Sequence, residues 1–145
     1  MAFYLTDPVL GPVDIKEEFV SDSWLLDRFM YKVPFGFGSN SYGQLGTEDI
    51  TNRSSPVQVG NSTLWKTIHA AGYHNLGIKT DGTLWSWGYN TGGLLGLSDT
   101  AHRSSPVQIG SLSNWKSVHG NLGSFAIKTD GTLWSWGYNT HFQLG

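Results

Sequence analysis

Residues 78–90 read Ile-Lys-Thr-Asp-Gly-Thr-Leu-Trp-Ser-Trp-Gly-Tyr-Asn, and residues 127–139 repeat the same thirteen letters 49 residues later. An enzyme active site does not recur in tandem at a fixed offset, whereas a repeat scaffold does. A period of this length is typical of propellers, solenoids and other arrays. The sequence therefore predicts a repeat fold.

The repetition extends well beyond these thirteen residues. The further matching segments are 53–60 with 103–110, 65–69 with 115–119, and 40–46 with 90–96 and 139–145. The chain thus holds two full periods and part of a third. The first period is weaker, because Phe35 and Phe37 stand where the later copies have tryptophan.

Each period contains the pattern of a β-hairpin. Asp81-Gly82 separates two β-prone runs, and Asp-Gly is a strong signal for a tight turn because glycine adopts positive φ freely. Residues 56–59 and 64–69 are two further short β-prone runs. Four short strands per period predict the blade of a β-propeller, an all-β fold.

The repeated tryptophans fit the interior of such blades. Trp85 and Trp87 are two residues apart and therefore share one face of a strand. A blade packs against neighbours on both faces, so apolar groups are expected on both. The predicted repeat core comprises Trp65, Trp85, Trp87, Trp115, Trp134 and Trp136.

Several of these motifs resemble a known family, the repeats of the regulator-of-chromosome-condensation type. The motifs are Leu-Trp-Ser-Trp-Gly-Tyr-Asn, Gly-Gln-Leu-Gly at 43–46, Ser-Ser-Pro-Val-Gln at 54–58 and Ala-Gly-Tyr-His at 71–74. The resemblance covers residues 34–145 and implies a seven-bladed propeller. Leu94 and Phe142 depart from the Gly-Gln-Leu-Gly motif, and Gly123 stands where the previous repeat has His74.

The repeat region predicted here, residues 34–145, is too short to close a ring. An open propeller leaves bare strand edges and an exposed face. Either the chain continues beyond Gly145, which the interruption inside a motif favours, or copies assemble into a homo-oligomer. The sequence does not fix a number of copies.

Residues 1–33 do not belong to the repeat and form a predicted N-terminal anchor segment. Ser and Asp at 21–23 precede an apolar run, which indicates a short helix start. The residues predicted to bind a partner are Phe19, Trp24, Leu25, Leu26 and Phe29. A short helix needs something to pack on. The segment either packs on its own propeller or docks on another protein, and the sequence leaves both open.

The anchor segment also resembles the starts of structural proteins of marine tailed bacteriophages that carry such repeats. The matching residues are Asp22, Trp24, Leu25, Leu26, Asp27 and Arg28. This second resemblance covers only about ten residues. It implies a virion protein whose first 33 residues contact other virion structural proteins.

Composition excludes several classes of function. The chain has nine basic and eleven acidic residues and no cysteine. The repeats carry six basic residues against five acidic ones, so they lack the basic stripe that nucleic-acid binding requires. No apolar run is long enough for membrane insertion, and no signal peptide is visible, so synthesis in a cytoplasm is expected.

No catalytic constellation, metal site or cofactor is predicted. His69 and His119 recur at one position of the repeat, but no further ligand accompanies either at metal-binding spacing. The serines before Pro56 and Pro106 lack a nucleophile motif, and no glycine pattern fits a phosphate loop. Asp81 and Asp130 recur as carboxylates, but the hairpin turn explains the presence of both.

The sequence therefore predicts a non-enzymatic structural or adhesion protein of a phage virion, such as a tail fibre, spike or appendage. Its loops vary over a constant frame, which is the layout of a display scaffold for a host surface receptor. The alternative is an intracellular, cytoplasmic interaction or small-GTPase regulatory module. An enzyme comes third, and only with chemistry beyond Gly145.

Overall fold

The computed structural model describes residues 6–7, 11–12, 33–140, 142 and 144. The chain divides into two compact units, Met1–Tyr31 and Lys32–Gly145. In the first unit, β1 (Thr6–Asp7) pairs antiparallel with β2 (Gly11–Pro12). The five residues predicted to bind a partner, between Phe19 and Phe29, lie outside the described residues.

The second unit consists of three antiparallel sheets. Its strands are β3 (Phe35–Gly38), β4 (Arg53–Gln58), β5 (Trp65–Ala71), β6 (His74–Lys79), β7 (Leu84–Gly88), β8 (Arg103–Gln108), β9 (Trp115–Gly120), β10 (Gly123–Lys128) and β11 (Leu133–Gly137). A single 3₁₀ turn, Thr91–Gly93, lies between β7 and β8 among the described residues. The described chain has no helix long and apolar enough to cross a membrane.

The sheets confirm the predicted fold class, an all-β incomplete propeller. One blade is complete, with strand order β5-β6-β7-β8. The pair β3-β4 precedes it, and the three strands β9-β10-β11 follow it. By repeat position, β3 and β4 correspond to β7 and β8, the last two strands of a blade. A blade therefore starts at the Trp65 position and ends with the Arg-Ser-Ser-Pro-Val-Gln strand of the next period.

The Asp-Gly sites form the predicted hairpins, β6–β7 and β10–β11. Gly82 has φ 81°, which glycine tolerates without the strain of a Cβ atom. The Asp81 carboxylate accepts hydrogen bonds from the backbone N–H and the hydroxyl of Thr83, at 2.9 and 2.6 Å. These bonds are the main reason that the pKa of Asp81 lies below its usual value.

The apolar core lies between neighbouring sheets. Val59, Trp65 and Trp87 form one buried cluster. A second cluster joins the complete blade to the sheet that follows it, and its buried members are Leu76, Ile78, Leu84, Trp115, Val118 and Ala126. Burial of a large side chain contributes about 1.5–3 kcal/mol, so both clusters stabilise the packing of the sheets.

Polar contacts repeat between sheets at the end of the strands. The Trp87 indole N–H and the Asn75 amide both donate to the Gln44 carbonyl, at 3.1 and 2.7 Å. In the next period the Leu94 carbonyl accepts from the Trp136 indole and from the Ser124 hydroxyl, at 3.0 and 2.7 Å. Each such carbonyl is therefore satisfied by the following sheet, which fixes the position of one sheet on the next.

The six predicted core tryptophans are not equivalent in the structure. Trp65, Trp87 and Trp115 are buried, whereas Trp85 and Trp136 are partly buried. Trp134 is 50% exposed. The reason is positional, because the described chain supplies no strand pair after β11 to cover the outer face of this sheet.

Candidate functional site

Five aromatic side chains form one contiguous surface cluster, which we call the tyrosine ridge. Its members are Tyr42, Tyr73, Tyr89, His102 and Tyr138. The ring centroids of Tyr42 lie 5.8 Å from Tyr73 and 4.7 Å from Tyr89. The His102 ring stacks on Tyr89 with a centroid distance of 4.9 Å and an interplanar angle of 30°.

The strand ends place these rings together. Tyr73 occupies the turn between β5 and β6, and Tyr89 directly follows β7. Tyr42 comes from the loop after β3, and His102 directly precedes β8. Tyr138 directly follows β11. Three sheets thus contribute to one edge of the second unit, at the end of the strands away from the Asp-Gly hairpins.

The repeat itself makes room for the ridge. Tyr89 and Tyr138 occupy equivalent positions, and so do Tyr42 and Gly92. A Cβ atom at Gly92 would lie 2.8 Å from the Tyr138 ring, so a side chain at this position would require the ring to shift. Tyr89 and Tyr138 therefore each lie over the loop of the preceding repeat. Tyr138 lies on Gly92, and Tyr89 lies on Tyr42.

His102 is held by the backbone. The Asn90 N–H donates to His102 Nδ1 at 3.0 Å, just as the Asn40 N–H donates to the Asn52 side-chain oxygen at 2.8 Å. Since Nδ1 accepts this bond, the neutral ring carries its proton on Nε2. His102 thus accepts the same backbone hydrogen bond as Asn52, its equivalent in the preceding repeat, and it also adds an aromatic ring to the ridge.

Tyr138 joins the ridge through Tyr89. The side chains of Tyr89 and Tyr138 are hydrogen-bonded, and this contact is the main reason that the pKa of Tyr138 is raised above its usual value. Tyr73 is 62% exposed, His102 is exposed, and the other three are half-buried. The ridge is therefore accessible from solvent.

The opposite end of the strands carries a different aromatic arrangement. The Lys79 ammonium lies 3.4 Å from the centroid of Trp85 and 5.4 Å from that of Trp65. Lys128 repeats the contact on Trp134 and Trp115, at 4.1 and 5.3 Å. Burial lowers the pKa of Lys79. Each lysine contacts tryptophans of its own sheet, and the contact recurs in both repeats, so we assign it a structural role.

The histidines do not assemble a metal centre. The rings of His69 and His119 lie 5.3 Å apart, and His69 Nε2 is 3.0 Å from the Gly120 carbonyl oxygen, a protein acceptor. His74 is buried, and its Nε2 donates to the Ser124 hydroxyl at 3.0 Å. In the described part of the chain, no group of three or more His, Cys, Asp or Glu could hold a metal ion.

Sequence reasoning did not identify the ridge. It placed ligand contacts in the loops that vary between repeats, and among the ridge members only His102 lies in such a loop, residues 98–102. The missed signal was the Gly-Tyr-Asn of residues 88–90 and 137–139, which puts a tyrosine at the same strand end in two repeats. The pairing of Tyr42 with Tyr73 has no sequence signal, since it joins different sheets.

Comparison with known proteins identifies the repeat. The sequence matches the Regulator of chromosome condensation (RCC1) repeat at residues 35–78 and 81–124. No curated protein matches the sequence. The structure is similar to that of human WBSCR16, with 27% sequence identity and a TM-score of 0.66, over 76% of this chain and 30% of that one.

Two yeast structures show the same fold. Prp20p from Saccharomyces cerevisiae, described with its binding to Gsp1p and histones, has 19% identity and a TM-score of 0.59, over 77% of this chain and 31% of its own. Yeast RCC1 (Prp20) bound to Kap60 has 18% identity and a TM-score of 0.62, over 96% and 37%. This chain spans about a third of the length of these proteins.

These matches agree with the strand order and with the contacts that recur from sheet to sheet. The chain belongs to the Regulator of chromosome condensation (RCC1) repeat family, and its described sheets form an incomplete β-propeller of that type.

Proposed function

We propose that this protein is a non-enzymatic structural and adhesion component of a bacteriophage virion. Residues 1–33 anchor it to other virion proteins, and the propeller presents its strand-end loops to a host surface receptor. The single observation that carries the adhesion role is the tyrosine ridge, an accessible aromatic surface built on a rigid repeated frame. Tyrosine is enriched in binding surfaces because it combines apolar area with a polar edge.

Two further features support the anchor. Residues 1–33 carry six acidic residues against three basic ones and several large apolar side chains, and they stand outside the repeat. Their resemblance to the starts of phage structural proteins covers about ten residues, and its matching residues lie between Asp22 and Arg28. The structural relatives described with Gsp1p, histones and Kap60 are consistent with protein partners for this fold.

Mass spectrometry of density-purified phage particles tests the virion assignment. Peptides from residues 1–33 and from the repeats should both be present in the particles. A matched pair of proteins, the full chain and a chain lacking residues 1–33, should then differ in binding to particles stripped of the native protein. Equal binding of the two would contradict the anchor, and confinement of the protein to host cytosol would contradict the virion role.

The alternative function is intracellular regulation of a small GTPase. Its motivation is the fold shared with Prp20p, which is described with Gsp1p binding. The release of a fluorescent guanine nucleotide from small GTPases, measured with and without the protein, separates the two functions. A virion adhesin should leave the release rate unchanged, whereas acceleration of release would favour the regulatory module.

A further inference from the structure

We propose that the tyrosine ridge is a carbohydrate-binding surface, and that its ligand is an uncharged glycan. The inference rests on the adhesion role proposed above and names the chemistry of the receptor. Three properties of the ridge carry it: the packing of its rings, its charge and its area. Each property disfavours another class of ligand.

Ring packing disfavours a cationic ligand. An aromatic cage for an ammonium group needs rings that stand apart, so that the cation fits between their faces. In the ridge, the centroid of Tyr42 is only 4.7 Å from Tyr89 and 5.3 Å from His102, and Tyr73 lies 6.2 Å from Tyr89. These distances are those of rings in direct contact. The ridge is therefore an open platform.

The same packing disfavours a proline-rich peptide. Such peptides dock in grooves between aromatic side chains. One cavity of the described structure, beside Phe35 and Phe37, reaches the ridge at Tyr73, and another lies beside Trp65 and Lys79. Neither cavity is lined by the other four ridge members. A sugar ring needs no cavity, since its C–H face can lie flat on an exposed aromatic ring.

Charge disfavours an anionic ligand. The ridge contains no aspartate, glutamate, lysine or arginine, and the Nδ1 atom of its one histidine accepts a backbone N–H. The Arg103 guanidinium, next to His102 in the chain, is paired with the Asp99 carboxylate at 2.5 Å. The Asp99 carboxylate thus offsets the positive charge of Arg103, the charged residue adjacent to His102 in the chain. Recognition by the ridge must then come from stacking and from neutral hydrogen bonds.

Area disfavours a stable interface with another protein. Exposing about half of five aromatic side chains gives roughly 500 Å², since each side chain has about 150–250 Å². A stable protein interface buries about 800 Å² on each partner. One or two sugar rings need much less. The phenol hydroxyls at the rim supply donors and acceptors for sugar hydroxyls.

Affinity electrophoresis of the full chain tests this inference. Native gels are cast with neutral mannan, dextran or laminarin, or with anionic alginate, and retardation is measured against polymer concentration. We expect retardation by at least one neutral polymer. We expect none by alginate.

The variants are chosen for exposure, so that folding is retained. Tyr73→Ala should weaken retardation at least tenfold, because it removes the most exposed tyrosine ring. Tyr73→Phe should stay within about threefold of the parent, since it keeps the stacking face. Leu133→Ala is the matched control, an exposed side chain at the opposite end of the strands. Thermal unfolding of each variant confirms that the propeller is intact.

Each outcome decides the question. Retardation that Tyr73→Ala abolishes and Leu133→Ala preserves supports the glycan surface. Retardation by alginate alone, or by neutral polymers with Tyr73→Ala unaffected, overturns it. Absence of retardation by every polymer, while Tyr73→Ala still abolishes adsorption to host cells, also overturns it and assigns the ridge to a protein receptor. In that last case the adhesion function stands without the glycan.

Discussion

The two copies of the thirteen-residue stretch have the same local structure and different environments. Strands β7 and β11 have equivalent bounds, and β6–β7 and β10–β11 pair in the same register. Nevertheless Leu84 is fully buried, whereas Leu133 is 65% exposed. The difference arises outside the stretch, because β9 and β10 supply the side chains that cover Leu84, among them Trp115 and Val118.

This comparison separates two sources of order. Turn geometry and strand pairing come from residues close in sequence, so they are the same in both copies. Burial comes from the neighbouring sheet, so it differs. A contact made within one copy should therefore contribute equally in the two, and a contact between sheets should contribute only where the neighbour is present. The following mutations test this distinction.

The largest difference is expected for the leucines. Leu84→Ala should lower the free energy of unfolding by about 2–5 kcal/mol, because it opens a cavity in a packed core. Leu133→Ala should cost less than about 1 kcal/mol, since the side chain is already mostly in solvent. Chemical denaturation followed by tryptophan fluorescence measures both. Equal costs would show that Leu133 is covered in solution.

The next effect depends on pH and belongs to His74, which Gly123 replaces in the following repeat. Burial is the main reason that the pKa of His74 falls from 6.5 to about 4. Between these values the unfolded chain binds a proton that the folded chain does not. Stability should therefore be complete above about pH 6.5 and fall by roughly 3 kcal/mol as the pH drops to about 4.

Unfolding midpoints measured from pH 7 to pH 4 give this profile. In His74→Asn the decline over that window should shrink. The turn aspartates Asp81 and Asp130 have lowered pKa values, so their contribution is lost only at still lower pH. A profile unchanged by His74→Asn would assign the decline to other groups.

A smaller difference is expected for the serines inside the two copies. The Ser86 hydroxyl is fully buried and donates to the Leu95 carbonyl at 2.8 Å, whereas Ser135 donates to the Leu144 carbonyl at 3.1 Å in an exposed setting. Ser86→Ala should cost about 1–3 kcal/mol, because it leaves a buried acceptor unpaired. Ser135→Ala should cost within about 0.5 kcal/mol, since water can replace the hydroxyl. Matching costs would mean that solvent reaches both sites.

The smallest effect is expected to be the same in both copies. The lysine contacts with tryptophan lie within one sheet, so Lys79→Gln and Lys128→Gln should each cost about 0.5–2 kcal/mol. A double-mutant cycle of Lys79→Gln with Trp85→Leu isolates the pair, and Lys128→Gln with Trp134→Leu is its counterpart. Coupling in only one copy would show that this contact also depends on the neighbouring sheet.

The sequence was most informative where a structure is decided locally. The hairpin at Asp81-Gly82 and the four-strand period followed from turn and strand preferences. The ridge was not predicted, because Tyr42 and Tyr73 meet across two sheets while 31 residues separate them in the chain. Repeat spacing alone predicted that Trp85 and Trp134 would share a role, yet their exposures differ.

By itself, the sequence determined the period, the turns and the strands of this protein, since each depends on residues close in the chain. Its repeated motifs also identified the family. Only the tertiary structure decided that β4 and β5, although adjacent in one period, belong to different sheets. It also decided which copy of each repeated side chain is buried, and that tyrosines of different repeats meet at one edge. Those outcomes depend on contacts between sheets, because packing side chains against a neighbouring sheet is what removes them from water.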